Sequence, residues 1–171
     1  MTHRLRAAIR VGSFALFLVT AAANPSWAAE SENWTLLAGI GAVDQEAIGG
    51  TSSLVVGLER YLTPVWSVGL TGGHFGKKDC CGSRDTNYGA LFASVRWPRE
   101  GLQPFLQLGV GRYDFEGQNQ NGRFGGVGVD IPLRDRISLS LTGRYHSVER
   151  PDSGPLPDFK EVSLAARYRF D

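Results

Sequence analysis

From Ala29 onward the sequence alternates between apolar and polar residues with a period of two, in stretches punctuated by Gly, Asp, Asn and Pro. Successive side chains of an extended chain point to opposite faces, so this period is that of a β-strand with unlike faces. It predicts eight strands of about ten residues each, beginning near Asn33, Ser53, Trp66, Asn87, Pro104, Phe124, Ile137 and Lys160. No helical period competes with it after Ala28.

The links between these strands alternate in character. Those after the first, third, fifth and seventh are long and polar: Asp44–Thr51, Gly76–Thr86, Glu116–Arg123 and Glu149–Phe159. The other three are tight, at Thr63-Pro64, Arg99–Gln103 and Arg134-Asp135-Arg136. In an up-and-down barrel alternate links lie at one end, so the long loops are expected on one rim, with the short turns and both termini on the other. Outer-membrane barrels have short periplasmic turns and longer extracellular loops, which fixes the expected orientation.

The two faces differ sharply. One collects residues such as Leu36, Ile40, Leu54, Val56, Leu70, Leu91, Val95, Leu108, Val110, Val129, Leu141 and Leu164, with no charge among them. On the same face, near the short-turn end, fall Trp34, Trp66, Trp97, Tyr168 and Phe170, placed as an aromatic girdle at headgroup level. The opposite face carries Gly, Ser, Thr and the charges of Glu59, Arg96, Asp130, Arg144, Glu161, Arg167 and Arg169. An eight-stranded lumen is too narrow to hold the apolar set, whereas lipid solvates it. The expectation is an all-β, eight-stranded, antiparallel up-and-down transmembrane β-barrel.

The N-terminus agrees with that destination. Arg4, Arg6 and Arg10 precede an apolar run from Val11 to Ala22, and Ser26 and Ala28 suit cleavage after Ala28. Residues 1–28 are therefore expected to be a signal peptide and residues 29–171 the barrel domain. Cleavage changes the formal charge from +1 to −2, leaving no reason to expect nucleic-acid binding. Adjacent Cys80-Cys81 cannot frame a disulfide-rich domain.

Trp66–Gly73, Pro104–Gly111, Ile137–Tyr145 and the closing run Ala166-Arg167-Tyr168-Arg169-Phe170 resemble the small outer-membrane β-barrel proteins of the OmpA-like transmembrane-domain type. The resemblance covers the mature chain and implies an outer-membrane location, with lipid and lipopolysaccharide as surroundings. Members commonly end in an aromatic residue recognised by the barrel-assembly machinery; here Asp171 follows Phe170. The peptidoglycan-binding domain of full-length relatives is not expected here. Neither the residues nor the resemblance identifies a ligand of the loops.

Three groups are candidates for chemistry. The inward charges either line a narrow pore or pair with one another in a packed plug, and the width of eight strands favours the plug. Arg144 and Glu161, on the final two strands, are expected to pair. His146-Ser147 with Glu161 raises the lipid A deacylases, small barrels that use His, Ser and Glu near the last strands. Adjacent residues of a strand point to opposite faces, however, and those enzymes carry His-x-Ser, so no catalytic residues are assigned. Cys80-Cys81, after His74 and Lys77-Lys78-Asp79, are spaced too closely for a typical zinc site, and neither metal nor cofactor is expected. The resulting expectation is a surface-interaction or structural barrel with a plugged lumen; a narrow porin-like channel and a lipid A hydrolase are the alternatives.

Overall fold

A computed structural model describes residues 34–45, 49–79, 82–99, 101–115, 117–149 and 158–170. The expected signal peptide and Cys80-Cys81 lie outside the described residues. The strands are β1 (Trp34–Gln45), β2 (Gly49–Tyr61), β3 (Trp66–Asp79), β4 (Gly82–Arg96), β5 (Gln103–Phe115), β6 (Gln118–Arg134), β7 (Ile137–Val148) and β8 (Phe159–Phe170). Each pairs antiparallel with its sequence neighbour, and β1 pairs with β8 from Trp34↔Phe170 to Gln45↔Phe159, closing the barrel. Closure satisfies every edge that an open sheet would leave bare.

The alternation sorts the faces as the sequence implies. Leu36, Ile40, Leu54, Val56, Leu70, Leu91, Leu108, Val110, Leu141, Val162 and Leu164 lie exposed on the exterior. Val95 departs from this: it is buried, in register between Trp66 and Leu106. Bulky side chains on both neighbouring strands are the physical reason, since cross-strand partners stand only about 5 Å away. On β5 the apolar exterior runs from Pro104 to Val110 and gives way to Arg112, while on β8 it runs from Phe170 back to Val162 and gives way to Lys160. A tilted nine-residue strand rises roughly 20–25 Å, the height of the apolar band of outer-membrane barrels.

The strands extend well beyond that band. β4 has 15 residues and β6 has 17, and β1–β2, β3–β4 and β5–β6 pair almost to their tips. The long loops expected after the first, third and fifth strands are therefore largely hairpin arms; only the link between β7 and β8 is long. The reason is that a backbone ladder does not need apolar side chains. Gln118-Asn119-Gln120-Asn121 pairs as regularly as Leu106-Gln107-Leu108, though it carries no hydrophobic alternation.

Candidate functional site in the barrel lumen

Near the short-turn end, alternate strands each send one long charged side chain inward: Glu59 from β2, Arg96 from β4, Asp130 from β6 and Arg167 from β8. They meet as a ring of alternating sign. Arg96 contacts Asp130 and reaches Glu59 at 3.4 Å, while Arg167 contacts Glu59 and reaches Asp130 at 3.4 Å. Ser94 donates to Glu59 at 3.0 Å and Ser67 also donates to it, while Arg167 donates to the Tyr61 hydroxyl at 3.1 Å. The Arg96 guanidinium lies 4.9 Å from the Phe105 ring centre. All four charged residues are buried, and their formal charges cancel, as desolvated charges require.

The other half of the lumen is built differently. Glu161 is its hub: Tyr88 donates to it at 2.9 Å, Ser53 at 3.1 Å and Arg144, its register partner, at 3.4 Å. His146 Nε2 lies 3.4 Å from the same carboxylate, while its Nδ1 is 2.9 Å from the Tyr113 hydroxyl. Around these few polar atoms pack rings. His146 stacks on Phe159 with centroids 4.2 Å apart, Phe75 lies against Phe159, and Tyr88 stacks on Tyr113. His146 and Tyr113 are entirely buried, at 0 % exposure.

The rings fit because glycines face them. Phe92, Phe105 and Phe124 are register partners of Gly69, Gly128 and Gly109. A Cβ on Gly109 would stand 2.2 Å from the Phe124 ring, and one on Gly128 2.3 Å from Phe105. The same arrangement sets Tyr88 over Gly73. Each aromatic side chain thus lies flat across the neighbouring strand, the only room a narrow barrel leaves it.

Of the residues singled out from the sequence, Glu59, Arg96, Asp130, Arg144, Glu161 and Arg167 are brought together inside. Arg169 is not: it is exposed at the short-turn rim, 5.3 Å over the Tyr61 ring, because the strand ends one residue later and the lumen opens. There it borders a vestibule of about 390 Å³ with Asp130, Arg134 and Arg167. Trp34, Trp66, Trp97, Tyr168 and Phe170 all lie at this same end; Arg60 caps the Trp34 ring at 5.6 Å, and Tyr168 stacks on Phe170. His146 is buried, whereas Ser147 lies on the opposite face of β7 and is partly exposed. His74 bonds Asn87 on the exterior at 2.8 Å. The sequence reading missed the aromatic layer, whose signal was the set of inward glycines in register with inward rings.

The sequence matches no protein-family model and no curated protein. Solved structures nevertheless share the architecture. Neisserial surface protein A has a TM-score of 0.67 at 13% identity, over 81% of this chain and 97% of that one. For the N-terminal barrel domain of Pseudomonas aeruginosa OprF the values are 0.60 and 12%, over 82% and 100%. For the outer-membrane enzyme PagL they are 0.52 and 14%, over 78% and 98%. At these identities the likeness is one of fold: the chain is built as the small eight-stranded outer-membrane barrels are.

Proposed function

We propose that the mature chain, released from residues 1–28 by signal peptidase, is an outer-membrane barrel with a structural or surface-interaction role. In this reading the long link between β7 and β8 and the three hairpin tips face outward, and the lumen does not conduct. The observation that carries the reading is the burial of the lumen side chains in both halves, since groups lining an open pore would be wetted. With passage blocked, the exterior belt and the projecting hairpins are the surfaces left for function. The small neisserial barrel of the same fold is itself named a surface protein, which agrees with this assignment.

A catalytic role is not part of the proposal, although PagL shares the fold. His146 and Glu161 do come together, but inside the barrel, and Ser147 faces away from them. The proposal predicts three results for expressed and refolded protein. The chain fractionates with outer membranes as a heat-modifiable band, planar bilayers record no steady conductance, and lipid A from expressing cells keeps its mass. Steady single-channel currents would establish the narrow channel instead, and loss of an acyl chain from lipid A would establish the hydrolase.

A further inference from the structure

Where the apolar belt ends toward the hairpin tips, the outer wall of β4–β7 carries a second unusual feature. Leu91, Val110, Arg123 and Ser147 form one cross-strand row, and Gly89, Arg112 and Asn121 form the next row toward the tips. Arg112 and Arg123 are therefore diagonal neighbours on adjacent strands, close enough for one anion to touch both guanidinium groups. Both are exposed, and no described residue forms a hydrogen bond or ion pair with either. Paired unneutralised arginines at the upper edge of a lipid-facing wall repel each other unless an anion lies between them.

The surface beneath them is shaped for more than an ion. A depression of about 690 Å³ is lined by both arginines with Leu91, Val110 and Val148, and beside it on the β4 side a second depression shares Leu91, Val110 and Arg112 and is lined by Gly89, where no atom stands within 4 Å of a Cβ position. Glu149 borders it on the side of the hairpin tips, while Asp114, the next outward residue of β5, accepts from the Gly117 amide at 2.8 Å. The charge thus lies at the height of headgroups and the apolar floor at the height of acyl chains. A phosphate with hydrocarbon attached matches both, because arginine binds phosphate through two parallel N–H···O bonds and an acyl chain fills an apolar groove.

We propose that this wall binds lipid A of lipopolysaccharide, one phosphate held between Arg112 and Arg123 and one acyl chain along Leu91 and Val110. The assignment to lipid A rests on the outward orientation of the hairpin tips proposed above, which places the site in the leaflet where that lipid resides.

The test is native mass spectrometry of protein refolded into phosphatidylcholine nanodiscs containing lipid A, phosphatidylglycerol, or neither with inorganic pyrophosphate added. Wild type should retain one lipid A, and Arg112→Gln with Arg123→Gln together should lower retention on the order of tenfold, the loss of a bidentate phosphate contact. Gly89→Leu keeps both charges and fills the adjoining space that Arg112, Leu91 and Val110 share, and it should lower retention as well; it serves if the double variant does not fold. Equal retention by wild type and both variants would overturn the site. Equal retention of phosphatidylglycerol would overturn the assignment to lipid A, and equal retention of pyrophosphate alone would overturn the role of the groove. A heat-modifiable band from the same sample shows whether the barrel has inserted, so failure of the outer-membrane reading is read separately.

Discussion

The two halves of the lumen solve one problem by opposite means. Eight strands leave a space that must be filled, and each half fills it with inward side chains, the ionic half from the even-numbered strands and the aromatic half chiefly from β3, β4, β5, β7 and β8. Near the short turns the filling is ionic: Glu59, Arg96, Asp130 and Arg167 each touch two groups of opposite sign. Toward the hairpin tips it is aromatic, with Glu161 and Arg144 embedded among Tyr88, Tyr113, Phe75 and Phe159. A ring of charges tolerates the loss of no member, because each removal leaves two neighbours short of compensation. A stack of rings depends instead on shape, so its weak points are the glycines that make room for it.

The sharpest way to break this contrast is to neutralise each half in turn. Glu59→Gln should cost about 3–5 kcal/mol in urea unfolding of refolded protein, since it leaves Arg96 and Arg167 buried with only Asp130 between them. Glu161→Gln should cost clearly less, because the amide oxygen can still accept from Tyr88 while the Ser53 hydroxyl can turn to accept from the amide nitrogen. Equal losses would mean that the two halves are not held differently.

Next in size is the cost of space. Gly109→Ala places a Cβ against the Phe124 ring and should destabilise by about 1–3 kcal/mol, with Phe124→Leu in the same chain recovering part of it. Gly89→Ala, where nothing stands nearby, is the control and should be close to neutral. Similar losses at both glycines would mean that contact with the Phe124 ring is not the cause.

The smallest effect concerns the Arg144–Glu161 ion pair of the aromatic half. In a double-mutant cycle of Arg144→Met and Glu161→Gln, measured by the same unfolding assay, the coupling should be about 1 kcal/mol. The value is modest because Glu161 is shared among three donors, with His146 Nε2 3.4 Å away, and Arg144 also donates to Gln107 at 3.3 Å. A coupling near zero would place the hold on Glu161 with Tyr88 and Ser53.

These partners were not equally legible beforehand. The faces could be read from alternation, because a charge on a two-residue period must go where lipid is not. Arg144 and Glu161 could be paired from the sequence because they flank one link and fall on adjacent strands. Glu59 and Arg167 could not, since they are 108 residues apart and meet only through closure and tilt of the barrel. The polar hairpin arms escaped notice for a different reason: Gln118–Arg123 forms strand through its backbone, and hydrophobic pattern carries no record of that. Phe124 over Gly109 lies between these cases, readable once the register of β5 and β6 is known and invisible without it.

The seam between β1 and β8 bears on folding order. It runs from Trp34↔Phe170 to Gln45↔Phe159, as long as the ladder between β1 and β2, so the first and last strands begin and end side by side. A short linker could join them at the short-turn rim, and new termini could be opened in the link between β7 and β8 without cutting any ladder. Such a circularly permuted chain would convert the most distant pairing in the sequence into a local hairpin. Closure entropy rises with the logarithm of the loop closed, so in the permuted chain the β1–β8 seam should form early and the β7–β8 ladder should become the last to close, with the same native state reached.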